Sequence, residues 1–215
     1  MIPVRKGSQR LPKKNYLKIN DKSVFEIAAI KAISLNIFDE IFLNTDDPSL
    51  QEISNKLGIK FYLRQVHLAS SEATSDMVVL DFFKKINCNR MFWLNTVSPL
   101  QTKKDILNFF NETILEDSHS SVAVSRHKVH ACIENKPINF KWEENFSRTQ
   151  DLKVLNSFNY SMMSWSRNMM ECLENGQLFN EKTRFIETSK WCDFLLKTQE
   201  DFDLIKKLSQ VAPDQ

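Results

Sequence analysis

Five cations stand within the ten residues from Arg5 to Lys14 of this 215-residue chain, in the run Ile2-Pro3-Val4-Arg5-Lys6-Gly7-Ser8-Gln9-Arg10-Leu11-Pro12-Lys13-Lys14-Asn15. Arg5, Arg10 and Lys14 can make charge-assisted hydrogen bonds to phosphate oxygens, Gly7 lets a ligand approach the backbone, and Pro12 stiffens the loop. A solvated basic loop accounts for the charge but not for the placement of Gly and Pro. Two other groups can do chemistry. His127, His130 and Cys132 carry metal-ligating atoms at a strand exit, with no fourth ligand in view; polar loop residues are the alternative. Asp46 and Asp47 form an acidic pair, yet they end a strand directly before Pro48, which is the pattern of a helix cap.

The elements that must position these residues alternate short apolar strands with amphipathic helices, which predicts an α/β fold with a largely parallel sheet. Strands are expected at Ile2 to Arg5, Glu40 to Thr45, Lys60 to Leu63, Met91 to Leu94 and Ser121 to Ser125. Helices are expected at Val24 to Leu35, from Pro48 to a stop at Gly58, at Ser75 to Ile86, and at Thr102 to Leu115 with Asp105 completing a cap on Thr102. The second half predicts strands at Tyr160 to Ser166, Arg184 to Ile186 and Asp193 to Leu196, a helix at Asn168 to Leu173, and a last helix opened by Thr198 and Asp201. In such a sheet ligands bind beyond the carboxyl ends of the strands, so the basic loop leaves strand one at the right edge. Residues 136–157, polar but holding Phe140, Trp142 and Phe146, read as an inserted arm whose aromatics need cover.

Composition narrows the functions. The glycines, Gly7, Gly58 and Gly176, are three and far apart, which excludes glycine-cradled dinucleotide and Walker-type loops and the GxSxG nucleophile elbow. With 29 basic against 27 acidic residues the formal charge is +2, too balanced for a nucleic-acid partner. The longest apolar runs, such as Met77 to Leu80, fall far short of the roughly 18 residues of a membrane span, and with no apolar leader the expected location is the cytoplasm. Cys88, Cys132, Cys172 and Cys192 form no CxxC pair and read as reduced, mostly buried thiols. Phe82-Phe83 and Phe109-Phe110 read as core aromatics on helix faces rather than base-stacking platforms.

The opening run resembles IPARxGSxxxPxKN, the signature of the cytidylyltransferases that activate sialic acid and related nonulosonates. FDEIFLNTDD (Phe38 to Asp47), LRQVHLASSEATS (Leu63 to Ser75) and NTVSPLQT (Asn95 to Thr102) are similar to that family's FDxIxxSTDD, RPxELAxDxAS and QPTSPLRT segments, in order and spacing. The resemblance implies one domain over 1–215: a three-layer, Rossmann-like fold of the nucleotide-diphospho-sugar-transferase type, with an inserted dimerisation arm. It implies CTP and an acidic nine-carbon sugar as substrates, CMP transfer with release of pyrophosphate, and a homodimer. Carried over by position, Arg5, Ser8, Arg10, Lys14, Asn15, Arg64 and Ser75 would bind nucleotide, and Asn95 and Gln101 the sugar. Arg5 and Lys14 would act in catalysis, because nucleotidyl transfer depends on positioning and charge neutralisation. The family also implies Mg²⁺ held by two aspartates of an IDIDTxxD strand. Anchored on Thr198 and Asp201, those aspartates are Leu195 and Lys197 here, leaving Asp193, one pleat away, as the remaining carboxylate to weigh as a ligand and Lys197 as a substitute cation. Other departures are Gln101 for Arg, Ser71 for an acid, and Tyr160-Ser161-Met162-Met163 for PNGA. The chain is therefore read as a CMP-sugar synthetase, with a second reading in which a relative without turnover keeps nucleotide affinity.

Overall fold

Successive residues of a strand face opposite sides of a sheet, and in this chain both sides are apolar. Phe42 and Leu43, Trp93 and Leu94, Val122 and Ala123, and Met162 and Met163 send one member to each of two buried clusters. A sheet apolar on both faces needs helices on both, which makes three layers.

The computed structural model describes residues 1–115, 118–143 and 145–214. Its elements are β1 (Ile2–Val4), β2 (Lys18–Ile19), β3 (Lys22–Ser23), α1 (Val24–Leu35), β4 (Phe42–Thr45), α2 (Gln51–Leu57), β5 (Lys60–Leu63), α3 (Ser75–Lys85), β6 (Arg90–Leu94), α4 (Lys103–Leu115), β7 (Ser120–His127), β8 (Cys132–Ile133), β9 (Lys136–Pro137), β10 (Leu155–Ser166), α5 (Met170–Glu174), β11 (Thr183–Glu187) and α6 (Gln199–Leu208). Strands β1, β4 and β5 are parallel, in the order β1-β4-β5. A second sheet has the order β11-β7-β10-β6, and the Leu94 N–H donates to the Met1 carbonyl at 3.0 Å, setting β6 beside β1. Helices α3 and α5 cover one face through Val79, Phe82, Phe83 and Leu173, and α1, α2 and α4 cover the other through Phe25, Ala29, Leu57 and Phe109. Each fully buried Phe or Leu here contributes about 1.5–3 kcal/mol.

The caps at Thr102 with Asp105 and at Thr198 with Asp201 form as expected, and Ser23 with Glu26 adds a capping box ahead of α1. The sheet is largely parallel as expected, with β1–β4, β4–β5 and β7–β11 paired in parallel. Three expectations are corrected, the first at β10, the strand that runs antiparallel to both β6 and β7. It begins at Leu155, taking the last residues of the expected arm into the sheet. The expected strand at Asp193 to Leu196 is absent. Lys190–Asp193 forms a 3₁₀ turn, and the chain then docks on the loop after β6, with Ser98 Oγ donating to the Cys192 carbonyl at 3.0 Å and Leu196 N–H to Val97 at 2.7 Å. Asp193, Leu195 and Lys197 therefore share no strand face. Lastly, only Cys192 is fully buried; Cys132 is exposed and Cys88 and Cys172 are partly covered.

Candidate active site

Three loops leave the carboxyl ends of β1, β5 and β6 and enclose a cleft of about 230 Å³. Of the predicted site residues, Arg5, Ser8, Lys14, Asn15, Arg64, Ser75 and Asn95 line it together with Gly7. Arg10 and Gln101 do not. Arg10 is exposed and bears on the cleft through its charge, which acts on Lys14. Gln101 is buried behind the wall and donates its Nε2–H to the Asn95 carbonyl at 3.2 Å. It positions Asn95 instead of facing the cleft.

The basic loop is held in shape by neutral and acidic partners, Lys6 Nζ pairing with Asp47 at 3.5 Å. Asn15, itself buried, donates to the Arg5 carbonyl at 2.9 Å. Lys13 adopts a left-handed conformation (φ 52°) that turns the chain into a short 3₁₀ helix, Lys14–Tyr16. Tyr16 donates its hydroxyl to Asp47 at 2.7 Å, and the Lys6 amide donates to Asp46 at 2.8 Å. The acidic pair is thus a brace. Burial alone would raise the Asp47 carboxyl, but hydrogen bonds from Tyr16 and Ser49 pull it down to about 2, so it stays ionised.

Lys14 is the electrostatic centre of the cleft. Burial, and then the charges of Arg10, Arg5 and Lys197, push its ammonium down to about 8. Cations crowded against one another in a partly dry cleft repel, and an anion relieves them. Lys197 thus acts on this site although the strand expected to carry it does not exist. Arg64 is buried opposite, its Nε donating to Asn44 Oδ1 at 2.6 Å, and burial lowers it only to about 10, so it remains charged. Arg5 donates to the Ser70 carbonyl at 2.8 Å, tying the first loop to the one after β5. That loop ends at α3, where Thr74 supplies no side-chain cap, so the positive end of an 11-residue helix opens on the cleft beside Ser75.

The β6 loop is anchored from below by a residue the sequence reading passed over. Lys31 of α1, 2% exposed, donates from Nζ to the Pro99 and Gln101 carbonyls, both at 2.9 Å. Burial brings it down to about 8. Trp93, Thr96, Leu68 and Thr74 also line the cleft unpredicted. A Trp in an apolar strand reads as core from sequence, and its exposure to a cleft depends on where the strand ends.

No group of three or more His, Cys, Asp or Glu side chains converges to hold a metal among the described residues. Asp193 is a lone carboxylate whose Oδ1 accepts from Ser125 and Asn159. His127 pairs with Ser157 and His130 with the Ser147 carbonyl, each separately.

Residues 1–212 match the cytidylyltransferase family. The chain belongs to that family. It is 26% identical over 221 residues, 96% of its own length and 92% of the other's, to post-translational flagellin modification protein B of Campylobacter coli. It is 26% identical over 211 residues to an N-acylneuraminate cytidylyltransferase of Streptococcus agalactiae, where 94% of the chain spans 51% of that longer protein. A pseudaminic acid cytidylyltransferase of Campylobacter jejuni is 29% identical over 123 residues, 54% of this chain and 53% of that one. Among solved structures, a CMP:2-keto-3-deoxy-manno-octonic acid synthetase complexed with CTP superposes with a TM-score of 0.71 at 13% identity, covering 98% of this cytidylyltransferase and 97% of that chain. The shared architecture is the nucleotidyltransferase fold. No helix among the described residues of this cytidylyltransferase is long and apolar enough to cross a membrane.

Proposed function

We propose that this cytidylyltransferase is a CMP-sugar synthetase that transfers CMP from CTP to a sialic-acid-like nonulosonate. The observation that carries the reading is the convergence of Arg5, Lys14, Arg64 and the α3 N-terminus on one cleft with Asn95. That is a triphosphate's set of partners, and the sugar activated by two of the relatives bears an acid. Arg5 and Lys14 neutralise the phosphates, with Ser8, Asn15 and Ser75 completing the nucleotide pocket and Arg10 adding charge at its rim. The acceptor's anomeric hydroxyl gives up its proton to solvent as its oxygen attacks the α-phosphorus; that P–O bond forms as the bond to the bridging oxygen breaks, and pyrophosphate leaves. Stabilising charge on the phosphates is the larger part of such catalysis.

Pyrophosphate release from CTP, assayed with N-acetylneuraminate, pseudaminic acid and an eight-carbon ulosonate, tests the reading. Release with a nine-carbon acid is expected. CTP binding without release for any acceptor would favour the second reading, a relative that binds nucleotide without turnover; the position of Lys197, a cation where the resemblance places a carboxylate, is what favours it. We read the reaction as cytoplasmic, where CTP is available. The arm supports a homodimer: His130, Phe140, Trp142 and Phe146 pack on one another, the His130 and Phe146 rings stacked at 3.9 Å, yet Trp142 is 65% and Phe146 72% exposed. Exposed aromatics already held in place are the anchors of an interface.

A further inference from the structure

Strand β10 breaks its register between Phe158 and Met163. Phe158 faces Val124 and Met163 faces Val122, so four residues of β10 oppose Ala123 alone. Bulges of this kind re-aim side chains, often beside active sites. Asn159 staples the bulge from inside, accepting from the Ser161 amide at 3.1 Å and its hydroxyl at 2.9 Å while donating to Thr188 Oγ1 at 2.8 Å. At its crest Tyr160 adopts φ +53°, a left-handed conformation that a bulky residue rarely takes. Glycine or asparagine would serve the turn with less strain.

The crest adjoins the cleft through Asn95, one residue beyond the cleft's own lining. Asn95, which lines it, donates Nδ2–H to the Tyr160 carbonyl at 3.2 Å and its backbone N–H to the Ser161 carbonyl at 2.9 Å. Asn95 Oδ1 accepts from the Val97 amide at 3.3 Å. The Asn95 amide is therefore spent largely on the protein, while the Tyr160 side chain is 44% exposed and its hydroxyl has no hydrogen-bond partner among the described residues. Its ring packs edge-on to Phe158 at 5.6 Å, and Phe158 in turn meets Phe185, 49% exposed, at 5.3 Å.

From strain, exposure and position together we infer that Tyr160 is a specificity-determining residue of the sugar site: its ring, backed by Phe158, forms the wall against which the apolar face of the acceptor rests, and its hydroxyl meets a polar substituent. This rests on the CMP-sugar reading above. Local strain persists where the surrounding structure enforces it, and such positions cluster at ligand sites.

The test compares calorimetric affinities for CMP, CMP-N-acetylneuraminate and CMP-pseudaminate, which requires no turnover. The parent protein is expected to bind one CMP-sugar more tightly than CMP. In Tyr160→Gly the affinity for CMP should stay the same, the extra affinity for the sugar should fall about fivefold, and the melting temperature should hold or rise because glycine relieves the turn. Tyr160→Phe should keep the wall and lose only the discrimination between the two sugars. A parent that binds neither CMP-sugar better than CMP would overturn the CMP-sugar reading and this inference with it. A Tyr160→Gly protein that keeps the full sugar increment, or loses it only through a changed sedimentation state, would overturn this inference alone.

Discussion

Thr96 donates its hydroxyl to Asn15 Oδ1 at 2.7 Å across 81 residues of sequence, and both side chains are buried. Since Asn15 also donates to the Arg5 carbonyl, the loops after β1 and β6 are tied together through one side chain. Asn15→Ala strands the Thr96 hydroxyl and the Arg5 carbonyl, at about 1–3 kcal/mol of stability for the unsatisfied groups. Urea unfolding of Asn15→Ala, Thr96→Val and the double variant should reveal a coupling of about 0.5 kcal/mol or more; strict additivity would separate the two loops.

Arg5→Ala and Lys14→Ala should each weaken CTP binding by roughly 1.5–3 kcal/mol, the range for hydrogen bonds to charged groups. The melting temperature should change little, and for Lys14→Ala it should not fall, because that ammonium is held among like charges. Calorimetry and thermal unfolding on the same samples read both quantities. Unchanged CTP affinity in both variants removes the loop from the nucleotide site.

The depressed Lys14 ammonium makes CTP affinity pH-dependent. Below about 8 it is charged and attracts phosphate; as pH rises through 8 the affinity falls. Stability of the nucleotide-free protein has the opposite sign. Between about 8 and the ordinary lysine value of 10.5 the unfolded chain binds the extra proton, so the Lys14 contribution to stability increases with pH. In Lys14→Arg the fall in CTP affinity near pH 8 should disappear, and a wild-type profile in that variant assigns the titration elsewhere.

Lys197 is close enough to Lys14 to depress it, whereas Asp47 accepts from Tyr16 and Ser49 and Asp193 from Ser125 and Asn159. We expect CTP binding to persist in EDTA and to gain little from Mg²⁺, and Lys197→Ala to weaken it. Titrations of CTP with Mg²⁺ and with EDTA decide; a strict Mg²⁺ requirement would point to carboxylate ligation assembled with the nucleotide.

Light scattering at micromolar concentration should find a dimer, and Trp142→Ala should shift it toward monomer. A wild-type monomer would leave the arm's aromatics as a cluster that covers only itself.

The sequence by itself determined the layered α/β order, the caps at Thr102 and Thr198, and the loop on which Arg5, Ser8, Lys14 and Asn15 stand. These are local: apolar periodicity, cap chemistry and a proline-glycine loop act over a few residues. Arg64 and Ser75 were legible only through the resemblance of Leu63 to Ser75 to the family's second nucleotide-pocket segment. What only the tertiary structure decided depends on partners remote in sequence. Asp193 to Leu196 has strand-like alternation, yet no sheet edge accepts it: the Leu196 N–H donates to the Val97 carbonyl, and the Cys192 carbonyl just ahead of the segment accepts from Ser98. Gln101 has the chemistry of a ligand contact, but Asn95 draws it behind the wall. Lys31 looks like an ordinary helix lysine until two carbonyls 68 and 70 residues away receive its ammonium. Tyr160 reads as a strand aromatic, because a bulge depends on the register of two neighbouring strands and no single segment encodes that register alone.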